Sequence, residues 1–317
     1  MASDVILFGE PMALFVAREE GSLSEVTEFT RMLAGAEVNV AVGLTRLGYE
    51  VTYATRLGMD PFGDYIERKL NAEGIKTQII RDRVHPTGFQ WKNHVRKGDP
   101  VTYYLRKNSA ASCITEEDVD SIDFTGAKLL HITGILPALS LSSRNAVYRI
   151  IEKAKEQGMI VSFDPNLRES LWESKRAMIR TLNDLAAKAD IVLPGVKEGS
   201  ILMGSDKQES PEDIADFYQK LGAKIVVVKL GEEGAYAKSE TEEGYFAGYP
   251  VTEVVDTVGA GDGFAVGVLS AVLEGASLKE MADRGNAIGS MQVMVSSDNE
   301  DLPTREELRK FRECGRR

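Results

Sequence analysis

The sequence has few of the residues that build disulfide scaffolds or zinc sites. Its 317 residues include two cysteines and three histidines. Cys113 and Cys314 form no CxxC motif, and His85, His94 and His131 are scattered along the chain. Neither a disulfide framework nor a zinc site is indicated, and the two cysteines favour a reducing compartment.

Long apolar runs are also missing. Apolar runs such as residues 225–228 have the length of a strand, whereas a membrane helix needs roughly 20 apolar residues. Residues 1–4 lead directly into a short apolar run, without the basic segment and long apolar stretch of a signal peptide. We therefore expect a cytoplasmic protein with no membrane partner.

Basic residues are fewer than acidic ones. The chain has 38 Lys and Arg against 49 Asp and Glu, a formal net charge of −11, which argues against a nucleic-acid partner. Apolar residues make up 43% and charged residues 27%, as in ordinary globular proteins. Neither a GxxxxGK[ST] P-loop nor a GxSxG nucleophile elbow occurs.

Short β-branched runs alternate with longer amphipathic stretches, which is typical of βα units around a mostly parallel sheet. The predicted strands are residues 5–9, 51–55, 129–133, 160–164, 191–193 and 224–229. The predicted helices are residues 37–47, 63–73, 142–157, 175–188, 211–221, 261–273 and 278–293. No linker or repeat interrupts the pattern, so we expect a single domain over residues 1–317.

One region alternates with a period of two instead. Between residues 89 and 95, and again between 101 and 106, apolar residues take odd positions and mostly polar residues take even ones. The turn-forming residues 97–100 separate the two runs, which predicts a β-hairpin with one apolar and one polar face. We expect a small β-sheet lid formed by segments about 12–33 and 86–108.

A glycine-rich segment carries the clearest chemistry. Residues 256–262, Asp-Thr-Val-Gly-Ala-Gly-Asp, follow a strand-like run at 251–255 and precede an apolar helix. Gly259, Ala260 and Gly261 would leave backbone N–H groups unobstructed at a helix start, which predicts an anion hole. Asp262 at its edge is a candidate general base. A tight turn with Asp262 as a helix cap is the alternative.

A second segment of similar character lies at residues 34–41, Ala-Gly-Ala-Glu-Val-Asn-Val-Ala. Gly35 would let a ligand approach a helix start, and Glu37 and Asn39 offer polar groups to sugar hydroxyls. Segments 34–41 and 256–262 resemble the two signatures of the PfkB family of sugar kinases. The resemblance implies a ribokinase-like three-layer α/β fold with a mostly parallel central sheet and a β lid. It also implies ATP and Mg²⁺ as cofactors, and leaves a monovalent cation open.

Within that family, the closest resemblance is to the 2-keto-3-deoxygluconate kinases, through residues 87–89 and 104–110. Alternation places Tyr104 and Arg106 on one strand face, and an arginine fork suits the carboxylate of a sugar acid. A solvated strand face is the alternative. Gln90 stands where these kinases often carry a tyrosine, and Gly195 replaces the asparagine of an Asn-x-x-Glu element.

The resemblance assigns residues to two ligands and assigns none as a metal ligand. The sugar acid would contact Gly35, Ala36, Glu37, Val38, Asn39, Gln90, Tyr104, Arg106, Arg168 and Asp298. ATP would contact Asn166, Arg168, Glu198, Lys229, Gly231, Gly234 and Asn286.

The predicted function is transfer of the γ-phosphoryl group of ATP to 2-keto-3-deoxygluconate, with Asp262 as base. The alternatives are a fructokinase or other PfkB sugar kinase, a nucleoside kinase, and a catalytically silent sugar sensor. Family lids often pair, so we expect a homodimer or higher homo-oligomer through the lid.

Overall fold

The computed structural model describes residues 3–95, 101–295 and 299–315. Its strands are β1 (Val5–Phe8), β2 (Met12–Glu20), β3 (Phe29–Ala34), β4 (Val51–Gly58), β5 (Lys76–Asp82), β6 (Phe89–His94), β7 (Thr102–Leu105), β8 (Leu129–Thr133), β9 (Ile160–Asp164), β10 (Ile191–Val192), β11 (Ile225–Lys229), β12 (Gly234–Lys238) and β13 (Glu243–Ala247). Its α-helices are α1 (Ala36–Arg46), α2 (Pro61–Ala72), α3 (Glu116–Asp120), α4 (Leu136–Leu139), α5 (Leu141–Glu156), α6 (Lys175–Ala186), α7 (Val196–Leu202), α8 (Pro211–Leu221), α9 (Ala260–Leu273), α10 (Leu278–Gln292) and α11 (Arg305–Gly315).

Within these residues, nine strands form a central sheet in the order β13-β12-β11-β10-β9-β8-β1-β4-β5. The seven strands from β11 to β5 pair in parallel, and β12 and β13 add an antiparallel edge. The mostly parallel sheet predicted from the βα pattern is therefore confirmed.

Both faces of the central sheet are covered by helices. Along β1, Val5 and Leu7 join a core with residues of α1, α9 and α10. Ile6 and Phe8 point to the opposite face and join a second core with residues of α5, α6 and α8. Since successive side chains of a strand alternate between faces, this apolar strand is buried in both cores, which gives the three layers expected.

A second sheet has the order β3-β2-β6-β7 and forms the lid. The hairpin register pairs Gln90 with Tyr104 and Trp91 with Tyr103, which confirms the period-two prediction. Its even-numbered residues line a cavity, whereas Tyr103 and Leu105 are exposed on the other face. The predicted turn at 97–100 lies outside the described residues.

The predicted strand-like run at 251–255 is wrong. The structure has an irregular segment there, with Val254 and Val255 exposed. The amide of Val255 donates to the carbonyl of Val293 at 2.8 Å, so this backbone is held by the end of α10 rather than by a sheet. β-branched residues alone do not make a strand when no neighbouring strand is available.

The elements that were not predicted include β5, β12, β13, α3, α4, α7 and α11. In β13 the residues alternate between exposed and partly buried, and β5 carries mostly polar, partly buried residues at the other edge of the sheet. Edge strands give a weak apolar signal because only one side is covered. No described helix combines the length and the apolar composition needed to cross a bilayer.

Candidate active site

Two cavities open at the edge of the central sheet where the parallel strands end. The first, of about 500 Å³, lies between this edge and the lid. The second, of about 680 Å³, lies over β11, β12 and the start of α9. Both are lined by Lys229, Thr257 and Gly261. Two ligands bound side by side would therefore meet at the N-terminus of α9, at the sheet edge where open α/β folds bind ligands.

Most of the predicted site residues come together here. The first cavity is lined by Gly35, Ala36, Glu37, Asn39, Gln90, Tyr104, Arg106, Asn166, Arg168, Glu198, Lys229, Gly259, Gly261 and Asp262. The second is lined by Lys229, Gly231, Gly234, Ala260, Gly261 and Asn286. The chain segments that carry them are distant in sequence, so the fold assembles the site from strand ends and helix starts.

The glycine-rich segment begins a helix, as predicted. Gly259 precedes α9 with φ at 80°, a left-handed conformation that favours glycine. At Gly261, the Nζ atom of Lys229 lies 3.7 Å from the position a Cβ would take. The backbone amides of this helix start, the helix dipole and this ammonium together give an electropositive point between the two cavities.

Asp262 is held by two amide side chains. Its Oδ2 accepts a hydrogen bond from Nδ2 of Asn39 at 2.7 Å, and its Oδ1 accepts one from Nδ2 of Asn166 at 3.3 Å. Asn166 has φ at 40°, which asparagine tolerates better than most residues. The carboxylate is thus fixed in orientation between α1 and the turn after β9.

Burial raises the pKa of Asp262 to about 7, against the lowering effect of the hydrogen bond from Asn39. Asp164 raises it further and Lys229 opposes that rise. A carboxyl group with a pKa near neutrality can accept a proton and release it again, which suits a general base.

Lys229 lies between two carboxylates. Its Nζ contacts Oδ2 of Asp164 at 2.8 Å and Oε2 of Glu198 at 4.0 Å. Burial alone would lower the pKa of Lys229, but these carboxylates raise it, so the ammonium stays charged. Glu198 also accepts from the amide of Gly195 at 2.8 Å and caps α7. The backbone N–H of Gly195, the residue that departs from the Asn-x-x-Glu element named above, therefore engages one oxygen of Glu198.

Glu37 is the other buried carboxyl group of the first cavity. Oγ1 of Thr133 donates to its Oε1 at 2.6 Å, and only 1% of Glu37 is exposed. Burial raises its pKa to about 7. A Cβ at Gly9 would lie 2.2 Å from Cδ of Glu37, so this carboxyl group fits only because residue 9 is glycine.

The lid contributes polar groups to the same cavity. The guanidinium of Arg106 lies 5.7 Å from the ring centre of Tyr104, as expected for neighbours on one strand face. It also pairs with Glu10, through Nε at 2.7 Å and Nη2 at 2.5 Å. Gln90 is buried, and its Oε1 has no hydrogen-bond partner in the described part of the chain. An unpaired buried acceptor is costly and marks a place where a ligand can donate.

Two further cations line the cavity. Within the described residues, no carboxylate lies within 4 Å of the guanidinium of Arg168, whose Nη1 donates to the carbonyl of Leu167 at 2.9 Å. Lys92 of the lid contacts Oδ2 of Asp256 at 3.0 Å. Asp256 also accepts from the amide of Val258, so this ion pair joins the lid to the loop that leads into α9.

The second cavity has a largely apolar wall that includes Tyr249, Val251 and Phe264. Asn286 reaches it from α10 and donates to the carbonyls of Phe246 and Ala247 at 2.9 and 3.1 Å, which holds the end of β13. A flat apolar slot beside a turn that contains Gly231 and Gly234 can accept a heterocyclic base.

One predicted contact is not brought to the site. Val38 is fully buried in the core that contains α9 and does not line the cavity, because it lies on the inner face of α1. Asp298 lies outside the described residues. The sequence reasoning missed Glu10 and Asn299. Glu10 lies two residues after the end of β1, at the sheet edge where open α/β folds bind ligands, and that position was an available signal.

Residues 2–305 match the family model described as pfkB family carbohydrate kinase. The chain is 48% identical to 2-dehydro-3-deoxygluconokinase of Bacillus subtilis (strain 168), over 98% of this chain and 96% of that protein.

Solved structures are also similar over nearly the whole chain. A PfkB protein from Polaromonas sp. JS666 is 45% identical with a TM-score of 0.87, over 97% of this chain and 99% of that one. A fructokinase from Vibrio cholerae O395, bound to fructose, ADP and a calcium ion, is 27% identical with a TM-score of 0.84, over 98% of each chain.

Proposed function

The chain belongs to the pfkB family of carbohydrate kinases, and on that premise we propose that it transfers the γ-phosphoryl group of ATP to 2-dehydro-3-deoxygluconate (2-keto-3-deoxygluconate). The relative from Bacillus subtilis, similar over almost the whole chain, carries that activity in its name. The acceptor is the primary hydroxyl of the sugar acid.

One observation carries the proposal. The first cavity contains Asp262, the second has an apolar wall for a nucleotide base, and the two meet at Lys229 and Gly261. A sugar in the first cavity and ATP in the second would bring hydroxyl and γ-phosphate together at the N-terminus of α9. Holding both reactants in one geometry removes much of the entropic barrier to phosphoryl transfer.

Asp262 would take the proton during transfer. The hydroxyl oxygen forms a bond to the γ-phosphorus, the bond from that phosphorus to the ADP oxygen breaks, and the hydroxyl proton passes to the carboxylate of Asp262. Asn39 and Asn166 hold both oxygens of this carboxylate and so fix its direction. The retained base argues against a silent sugar sensor.

Negative charge on the transferring group would be stabilised by the amides of residues 259–261, by Lys229 and by Arg168. Magnesium would neutralise charge on the ATP phosphates. Among the described residues no group of three or more His, Cys, Asp or Glu side chains could hold a metal ion. Asp164 and Glu198, the two carboxylates that contact Lys229, would offer oxygen ligands of the kind that Mg²⁺ prefers.

Recognition of an acid is supported by the cations of the first cavity. Arg106 and Arg168 both line it, and a guanidinium pairs with a carboxylate through two parallel hydrogen bonds. A neutral sugar such as fructose has no group that needs these charges. Fructose remains the second candidate substrate because the Vibrio cholerae relative binds it.

We also infer that the enzyme forms a homodimer through the outer face of the lid. Val101, Tyr103 and Leu105 are exposed there, next to the open edge of β7. An apolar edge strand is a natural surface for pairing with a second copy. Because the reaction consumes ATP and both cysteines are unpaired, we place the enzyme in the cytoplasm.

The test of the proposed function is a screen of the purified protein for ADP release with MgATP and a panel of sugars and sugar acids, with mass measurement of the product. We expect a singly phosphorylated product from 2-dehydro-3-deoxygluconate. ADP release with fructose alone would replace the acid by the neutral sugar as substrate.

A further inference from the structure

Glu10 lies in the loop after β1 and is among the most buried charged residues of the site, with 2% of its surface exposed. Its Oε2 accepts from Nε of Arg106 at 2.7 Å and contacts Nη2 at 2.5 Å. Its Oε1 accepts from Oγ of Ser109. Both partners follow β7, so one carboxylate on the body of the protein holds the last strand of the lid.

The pairing decides how Arg106 is presented. With 7% of its surface exposed, Arg106 would be a costly buried charge without a partner. The guanidinium is a rigid plane with five N–H donors. Oε2 of Glu10 takes one N–H from each of Nε and Nη2, so both N–H groups of Nη1 and the second N–H of Nη2 are left for other partners. The orientation of these donors is therefore set by Glu10.

The backbone is shaped to admit this carboxylate. A Cβ at Gly88 would lie 2.6 Å from Oε1 of Glu10 and 3.4 Å from Cγ of Met12. Any side chain at residue 88, which directly precedes β6, would displace the carboxylate of Glu10. Gly88, Ser109 and Arg106 thus together surround the carboxylate of Glu10.

We propose that Glu10 is a positioning residue for recognition of the sugar acid, acting through Arg106. This inference rests on the proposed function. Glu10 does not contact the reacting atoms; it fixes the guanidinium so that the carboxylate of the substrate meets an oriented donor. A carboxylate that only stabilised the lid would affect folding and both substrates alike.

The experiment measures KM and kcat for 2-dehydro-3-deoxygluconate, and KM for ATP, in Glu10→Ala and Glu10→Gln. We expect Glu10→Ala to raise KM for the acid by about ten- to a hundredfold, the size of a lost hydrogen bond to a charged group, with a smaller change in KM for ATP. Glu10→Gln keeps one acceptor oxygen and should give an intermediate KM. Glu28→Gln is the matched control, since Glu28 forms an exposed ion pair with Arg18 elsewhere in the lid.

A double-mutant cycle separates positioning from a purely structural role. In an Arg106→Gln background, the further change Glu10→Gln should alter KM for the acid by less than about twofold. This double variant also removes both buried charges together, so it keeps the test decisive if Glu10→Ala does not fold. Equal effects of Glu10→Gln in both backgrounds, or an unchanged KM in Glu10→Ala, would overturn the proposal.

The two proposals fail differently. If the unmodified enzyme phosphorylates the acid and substitution of Glu10 leaves the KM for the acid unchanged, only the proposed role of Glu10 fails. If the unmodified enzyme does not phosphorylate the acid, the proposed function fails and the role of Glu10 in acid recognition falls with it.

Discussion

Asn39 donates its side-chain N–H to Oδ2 of Asp262 across 2.7 Å, although the two residues are 223 positions apart in the chain. The other end of the same amide is also held, because Oδ1 of Asn39 accepts from Nδ2 of Asn299 at 2.9 Å. Asn39 was predicted as a contact for sugar hydroxyls. In the structure one of the two N–H groups of its Nδ2 goes to Asp262, so it also acts on the ionisation of the base.

This contact predicts a pH effect. Asp262 must be ionised to accept a proton, and its pKa is about 7. We expect kcat/KM to rise with pH through about 7. The hydrogen bond from Asn39 lowers the pKa of Asp262, so Asn39→Ala should shift the midpoint to higher pH. The measurement is the pH profile of kcat/KM for both proteins. Asn299→Ala, which leaves the donor in place, should shift it less, and an unmoved midpoint in Asn39→Ala would refute this account.

Replacing Asp262 should lower the activity without lowering the stability at pH 8. Asp262→Asn is expected to lower kcat by on the order of 10²- to 10⁴-fold, the usual contribution of general base catalysis. The pKa of Asp262 in the folded protein lies above its ordinary value of 3.8, so its ionisation destabilises the folded state as pH rises between about 4 and 7. The variant should therefore melt at a higher temperature than the unmodified protein at pH 8, with no such gain at pH 4. Unchanged turnover would exclude Asp262 as the base.

Gln90 offers a test of substrate recognition. Its Oε1 is buried in the cavity without a partner among the described residues, so a substrate hydroxyl would gain a hydrogen bond there. Gln90→Leu should lower kcat/KM for the sugar acid by about tenfold and leave the melting temperature equal or higher, because an unpaired polar atom is removed. A loss of stability without a change in kcat/KM would show that the amide serves the fold alone.

Pairing of two copies through the lid can be tested by placing a charged side chain on the outer face of the hairpin. Tyr103 and Leu105 are exposed on the outer face of the hairpin. If two copies pair there, Tyr103→Glu should convert a dimer to a monomer in sedimentation velocity, since a buried unpaired carboxylate is costly. A monomer before substitution, or a dimer that survives it, would contradict pairing through this face. Tyr245→Glu, an exposed tyrosine on β13, is the control.

Much of the fold was readable from the sequence, for physical reasons. Buried parallel strands such as β8 and β9 are short runs rich in apolar residues, and their predicted bounds match the structure. The hairpin of β6 and β7 was predicted because one of its faces is apolar and the other polar, which gives a period-two pattern in the sequence. Edge strands such as β5 and β13 were missed because partial burial leaves little apolar pattern.

The site was predicted less completely than the fold. The motifs identified Asp262 and its neighbours because small residues at a helix start have a direct chemical meaning. No local pattern could reveal that Asn39 and Asn166 would share one carboxylate, or that Glu10 would pair with Arg106. Such contacts join segments far apart in the chain. Val38 was misassigned because it adjoins true lining residues on a helix.

The central claim is that this kinase acts on an acid sugar that its arginines recognise. The most direct test compares kcat/KM for 2-dehydro-3-deoxygluconate and for fructose, in the unmodified enzyme and in Arg106→Gln. We expect the acid to be preferred by at least about tenfold, and Arg106→Gln to lower kcat/KM for the acid by about ten- to a hundredfold with little change for fructose. A preference for fructose that is insensitive to Arg106→Gln would contradict the account.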